Sequence, residues 1–250
     1  MKRLVLMLAV AGMILSGALT VVQAKGTPDV ANTWHNLSSS GPVIGFTDYT
    51  TNASEICVFC HTPHGGNTQG PLWNKNLPGA ASFTHYTSVT LSSYLQGLGT
   101  GRAVNDESLL CLSCHDGTIS VNHLLNDPNS LNGTPIATGW NGDPNTTIVD
   151  LFGGPSALIG TDLTDDHPIS FSYDSVLTEY NGGTRAGQLR DVATATSYAG
   201  EGVRFFAPGN RVECSSCHDP HVDYNADPDY SPFLIMPNTG SNLCLACHNK

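Results

Sequence analysis

Cys57-Val58-Phe59-Cys60-His61-Thr62-Pro63-His64 is the stretch that decides the architecture, because its CxxCH core occurs four times and uses every cysteine of the chain. CxxCH is the attachment pattern of c-type haem, in which two thiols hold one porphyrin and the adjacent histidine binds its iron. The sequence therefore predicts four covalent haem c groups. The covalent attachment residues are Cys57, Cys60, Cys111, Cys114, Cys214, Cys217, Cys244 and Cys247, and the proximal iron ligands are His61, His115, His218 and His248.

Paired cysteines have two other common uses, tetrahedral zinc sites and redox-active disulfides. Neither use requires a histidine directly after the second cysteine in all four copies. Neither explains why no cysteine is left over. We therefore interpret the four motifs as haem sites.

Bis-histidine ligation follows from the supply of axial ligands. Of the four methionines, Met236 alone lies outside the first 24 residues, so methionine cannot serve most of the irons. Methionine ligation raises a haem's reduction potential, and its scarcity predicts low-potential haems. Six histidines remain for the distal positions: His35, His64, His85, His123, His167 and His221.

An internal repeat selects among these six histidines. In each half a lone histidine precedes a CxxCHxxH unit, and a plain CxxCH follows. The histidines that fit the repeat, and that we predict as distal ligands, are His35, His64, His167 and His221. His85 and His123 are reserve candidates, for which a surface or hydrogen-bonding role is the alternative.

The CxxCHxxH spacing restricts which iron each histidine can serve. Residues three apart on a helical turn project from the same side, so His61 and His64 cannot easily bind opposite faces of one iron. We therefore hypothesise that His64 serves the haem of Cys111 and Cys114. By the same argument, His221 would serve the haem of Cys244 and Cys247.

The first 24 residues have the pattern of a secretory signal peptide. A basic start, Met1-Lys2-Arg3, leads into an apolar run from Leu4 to Val22 and a small-residue cleavage site at Ala24. We expect a secreted protein that passes through the periplasm to the cell surface or an extracellular filament, with no stable membrane span. The alternative is an uncleaved anchor, since the run is nearly long enough to span a bilayer.

Composition predicts how the mature chain folds. Removal of residues 1–24 leaves eight basic and twenty-one acidic side chains, which repels nucleic acid. The full sequence has 26 glycines, 15 prolines and only 12% charged residues, so we expect few long amphipathic helices and a thin conventional core. We expect mostly coil, with short helices at the haem motifs and few short strands around stacked haems. The divisions are a two-haem half at 25–125, a loop-rich connection at 126–160 and a second two-haem half at 161–250.

Several segments resemble the extracellular tetrahaem and multihaem c-type cytochromes of metal-reducing bacteria, including OmcE-like cytochromes that polymerise into conductive filaments (nanowires). These segments are CVFCHTPH at 57–64, PLWN at 71–74, LCLSCHDGT at 110–118, DHPISF at 166–171 and CSSCHDPH at 214–221. The resemblance implies closely stacked haems and little regular secondary structure. It also implies, in filament formers, a histidine that reaches a haem of the neighbouring subunit, and His35 is the candidate here.

Electron transport is the function that these expectations favour. Irons saturated by two imidazoles leave no open position for a substrate, so we do not expect an enzyme. The partners would be redox-protein donors and acceptors or extracellular electron acceptors, together with further copies of the chain in a homopolymer. The alternatives are a soluble periplasmic or secreted shuttle, a multihaem nitrite- or hydroxylamine-type oxidoreductase with one exchangeable iron position, and a membrane-anchored quinol-oxidising cytochrome.

Overall fold

The computed structural model describes residues 26, 28–42, 49–129, 133–140, 147–148 and 157–250. The signal-peptide prediction therefore lies outside the described residues, as do parts of the 126–160 connection. Within the described ranges, no helix has both the length and the apolar character needed to span a membrane.

The described chain is mostly coil with short helices. The α-helices are α1 (Ser93–Leu98), α2 (Asp106–His115), α3 (Tyr173–Asn181), α4 (Val192–Thr196) and α5 (Asn242–Cys247). Single 3-10 turns lie at Val30–Asn32, Cys57–Phe59, Tyr198–Gly200, Cys214–Ser216, Pro228–Tyr230 and Thr239–Ser241. The helix expected from the sequence at the second motif is confirmed as α2. Two acidic residues in its first turn, Asp106 and Glu107, complement the positive end of the helix dipole.

Three two-stranded sheets join segments that are distant in sequence. β1 (Tyr49–Thr51) pairs antiparallel with β3 (Thr138–Trp140), with Tyr49 opposite Trp140. β2 (Thr84–His85) pairs parallel with β4 (Asp162–Leu163), and β5 (Phe171–Ser172) pairs antiparallel with β6 (Arg211–Val212). Sheets this small are not stable alone, so their role is to join distant loops by backbone hydrogen bonds.

The apolar core of the described chain is divided into several small clusters. One packs Leu109 and Leu112 of α2 against Phe83 and Leu163. Another contains the fully buried Ile235 and Met236, together with Ala195, Val203 and Ala246. Clusters of this size bury little apolar surface each, which agrees with a chain whose motifs predict large prosthetic groups between its segments.

A buried carboxylate connects the two halves beside the third motif. Glu213, only 1% exposed, accepts hydrogen bonds from the Asn105 side chain at 2.7 Å and the Ser108 hydroxyl at 2.6 Å, both near the start of α2. From the second half, the Ser170 hydroxyl and the Arg211 guanidinium each donate to it at 3.1 Å. One shared network therefore links the two segments that the sequence predicts as two-haem halves.

Candidate haem-binding sites

Each CxxCH motif lies on a helical turn that brings its histidine back over its first cysteine. The backbone N–H of the histidine donates to the carbonyl of that cysteine, at 2.7 Å in the first motif, 3.0 Å in the third and 2.9 Å in the fourth. The second motif forms the last turn of α2. One turn of helix thus places both thiols and the imidazole on the same side, as attachment of a single porphyrin requires.

Three of the four CxxCH histidines have an imidazole ring that is oriented by a backbone carbonyl. The Nδ1 atoms of His61, His115 and His218 lie 2.8, 2.7 and 3.0 Å from the carbonyl oxygens of Pro71, Ala157 and Pro232, respectively. A neutral imidazole that donates from Nδ1 keeps the lone pair of Nε2 free for a metal, and the hydrogen bond fixes the ring direction. These contacts would leave the Nε2 atom of each ring available to a metal.

The carbonyl acceptors extend the internal repeat beyond what the sequence revealed. Pro71 follows His61 by ten residues and Pro232 follows His218 by fourteen. The next residues, Leu72 and Phe233, both have positive φ angles, of 55° and 58°, which are uncommon for side-chain-bearing residues. The matching Pro-x-x segments therefore turn in the same way beneath the first and third motifs.

Three pairs of imidazoles face each other at one characteristic spacing. The ring centroids of His61 and His221 are 6.3 Å apart, those of His35 and His115 are 6.2 Å apart, and those of His167 and His248 are 6.4 Å apart. Two imidazoles bound to opposite faces of one metal, with metal–nitrogen distances near 2.0 Å, have centroids about 6.3 Å apart. These three pairs therefore fit the two axial positions of a haem iron.

The structure pairs the distal candidates differently from the hypothesis drawn from the CxxCHxxH spacing. His221 faces the first motif and not the fourth, and it is His35, not His64, that faces His115 of the second. The physical reason is that the chain folds across its halves. The Asp29 backbone N–H donates to the His221 carbonyl at 2.9 Å. The ring centroids of His35 and Phe233 are 4.3 Å apart.

His35 lies inside the fold. Burial, followed by the neighbouring His115, lowers its pKa to about 4, so the ring is neutral at physiological pH and has a lone pair to give to a metal. Its Nδ1 atom is buried without a hydrogen bond of good geometry, although the Pro220 carbonyl is close. This position does not suit the inter-subunit role that the resemblance implied for His35.

The first motif also borders open space. A cavity of about 330 Å³ is lined by Cys57, His61, Thr62, Pro63, Pro71 and Leu72. Leu72, which is 52% exposed, contributes an apolar side chain to this cavity. A porphyrin attached at this motif would have an apolar wall to cover.

His218 differs from the other three CxxCH histidines. Among the described residues, which include all ten histidines, no second imidazole faces it at the spacing of an axial pair. His64 is exposed, and exposed His123 lies 3.3 Å from the Asn76 side-chain nitrogen. His85 is buried, its pKa lowered to about 4 by burial and then by Arg102.

The thiols of successive motifs adjoin each other. Burial, then the proximity of Cys114, raises the pKa of Cys60 to about 12. A hydrogen bond with Cys214 raises the pKa of Cys111. Burial, then Cys247, raises the pKa of Cys217 to about 12. The four motifs are therefore neighbours in the order first, second, third, fourth.

Comparisons with known proteins add nothing to these observations. No protein-family model matches the chain, and no curated protein sequence matches it.

Within the described ranges, all eight cysteines are free thiols, and no group of three or more His, Cys, Asp or Glu residues is arranged to hold a bare metal ion. The haem interpretation therefore rests on the motifs and on the paired imidazoles.

Proposed function

We propose that this protein is a tetrahaem c-type cytochrome that carries electrons through bis-histidine, low-spin haems in extracellular electron transfer. The observation that carries the proposal is the spacing of three imidazole pairs, 6.2 to 6.4 Å, each containing the histidine of a CxxCH motif. When bound, haem supplies a one-electron Fe(III)/Fe(II) couple. The order of the adjoining motifs supports a continuous electron route along the chain.

The role of the protein's own residues is attachment, ligation and exclusion. Paired imidazoles fill both axial positions and so keep water and small substrates away from iron. The carbonyls at Pro71, Ala157 and Pro232 hold the proximal rings in place, which limits rearrangement when charge arrives or leaves. Such a site transfers electrons and does not transform a substrate.

Within this proposal the protein is a filament subunit, and His64 of a second copy is the distal ligand opposite His218. The internal repeat supports the assignment. His221, three residues after His218, faces His61; the equivalent residue, three after His61, is His64. His64 is exposed and does not face His218 within its own chain. A contact between two copies would bring His64 of one chain opposite His218 of the other, so that both imidazoles bind the same iron.

The first test is the haem count and the form of the secreted material. We expect four haems per chain after denaturation, a mature N-terminus at Lys25, and filaments by negative-stain electron microscopy. Colourless protein, or fewer than four haems, contradicts the cytochrome assignment. Protein that remains monomeric at all concentrations supports the soluble shuttle instead.

An oxidoreductase is the second candidate, and the single observation in its favour is that His218 has no facing imidazole in its own chain. The distinguishing experiment compares monomers with assembled filaments. The filament proposal expects a high-spin signal from one haem in the monomer that disappears on assembly. Persistent binding of carbon monoxide or nitrite by assembled material indicates an exchangeable iron position and favours the enzyme.

A further inference from the structure

Asp219 is a buried carboxylate whose hydrogen bonds converge on one predicted ligand. It is 3% exposed, and its side chain accepts hydrogen bonds from the backbone N–H of His221 at 3.0 Å and from the His221 ring Nδ1 at 3.1 Å. The Arg204 guanidinium donates to its other oxygen at 2.5 Å. The Asp219 backbone N–H donates to the Phe233 carbonyl at 2.7 Å, so the carboxylate is held on several sides.

The equivalent residues of other motifs make no such contact. Thr62 occupies the matching position of the first CxxCHxxH unit, and its hydroxyl donates to the backbone carbonyl of His64, leaving the ring exposed. Asp116 also follows a proximal histidine and is buried, but its carboxylate accepts hydrogen bonds from Thr118. Among these three residues, Asp219 alone binds an imidazole.

We infer that Asp219 is a positioning residue that orients His221 and strengthens it as a ligand, and thereby lowers the reduction potential of the haem at Cys57 and Cys60. The inference rests on the proposed function. A carboxylate that accepts the Nδ1 proton of a metal-bound histidine fixes the ring and raises its basicity. A more basic ligand stabilises Fe(III) relative to Fe(II), which lowers the potential.

The charge states agree with this role. Asp219 accepts hydrogen bonds from the Arg204 guanidinium and from two N–H groups of His221, and accepts none from a neighbouring carboxyl, as suits an anionic carboxylate. Arg204 also donates to this carboxylate, which weakens the hydrogen bond that Asp219 accepts from the His221 ring.

The angle between the ring planes supplies a signature for this haem. The His61 and His221 rings are nearly parallel, at 14°, whereas the other two facing pairs are at 86° and 70°. Near-parallel axial imidazoles give a rhombic low-spin electron paramagnetic resonance spectrum, and near-perpendicular imidazoles give a strongly anisotropic one. The first haem can therefore be followed separately during a potentiometric titration.

The experiment compares Asp219→Asn with Asp116→Asn in the full holoprotein. Removal of a ligand's outer hydrogen-bond partner changes metal affinity by about tenfold or more. A tenfold change that favours the reduced form corresponds to about 59 mV for a one-electron couple. We expect an upward shift of up to about this size in the rhombic signal for Asp219→Asn, because a neutral amide oxygen accepts the Nδ1 proton more weakly than a carboxylate does. Asp116→Asn should leave that signal in place.

Arg204→Gln provides a second test of the same reduction potential and leaves Asp219 unchanged. Loss of the guanidinium leaves the anion to His221 alone, so the potential of the same haem should fall. If the rhombic signal keeps its potential in both Asp219→Asn and Arg204→Gln, or both variants shift it in the same direction, the inference is overturned. Wild-type protein that has four haems but no rhombic low-spin signal also overturns the inference, whereas wild-type protein without haem overturns the proposed function.

Discussion

The pairing of His221 with His61 predicts which of two equivalent histidines controls the first haem. His64 and His221 occupy the same position of a CxxCHxxH unit, so His64→Ala and His221→Ala are matched substitutions. The His221 ring centroid lies 6.3 Å from that of His61, whereas the His64 ring is exposed. Of the two, His221→Ala alone removes an imidazole that faces a CxxCH histidine within the chain.

The size of the expected effect follows from the motif count. Loss of one distal ligand among four haems converts one quarter of the iron from low spin to high spin, relative to wild type measured in the same state. The rhombic signal of the near-parallel pair should disappear at the same time. In the monomer, His64→Ala should change neither quantity, because its ring serves no iron of its own chain.

The assay is quantitative electron paramagnetic resonance of monomeric holoprotein, with the high-spin absorbance band as an independent measure. Haem content per chain, determined after denaturation, confirms that each variant retains four porphyrins. An increase of high-spin iron in the His64→Ala monomer, or an unchanged rhombic signal in His221→Ala, would refute the pairing.

Three further predictions concern stability. Glu213→Ala should lower the free energy of unfolding by about 3 kcal/mol in a denaturant titration, because it leaves several buried donors unpaired. The control is Glu107→Ala, which removes a partly exposed partner of the same Arg211 and should lower the free energy of unfolding by less than about 1 kcal/mol. Equal losses in the two variants would contradict this prediction. Burial lowers the pKa of His85 from its ordinary 6.5 to about 4 in the folded protein. Between these two values the unfolded state binds more protons than the folded state, so the free energy of unfolding falls as the pH drops from 6.5 to 4. The slope is at most about 1.4 kcal/mol per pH unit. His85→Leu should flatten this dependence, and an unchanged slope would rule out His85 as its source. Chemical removal of the haems should leave a chain that circular dichroism reports as largely disordered, since the apolar clusters are small; a native-like spectrum would mean that the protein part folds alone.

The covalent chemistry remains a prediction from the sequence, but the repeat did select three histidines that the structure places opposite CxxCH histidines. Eight cysteines and four proximal histidines follow directly from CxxCH, and the repeat selected His35, His167 and His221, each of which faces a proximal histidine. The partner of each could not be predicted, because spacing along a helical turn excludes only the nearest iron. Pairing depends on how the segment at 28–42 packs against residues near 221–233, which is a long-range property.

The groups that orient the imidazoles were also beyond sequence reasoning. The acceptors at Pro71, Ala157 and Pro232 are backbone carbonyls, and any residue type supplies one. Asp219 stands in a CHDPH segment, where an acidic side chain reads as a solvated turn residue. Its burial becomes visible only when Arg204 and Phe233 are placed around it.

The crossing of the two halves has a consequence for biogenesis. Synthesis runs from the N-terminus, so the first two motifs emerge before His221 and Phe233, the residues that pack against His61 and His35. The surroundings of the first motif are therefore complete only when nearly the whole chain has been made. A chain truncated before residue 221 would keep its first two CxxCH motifs but would lack both of these partners.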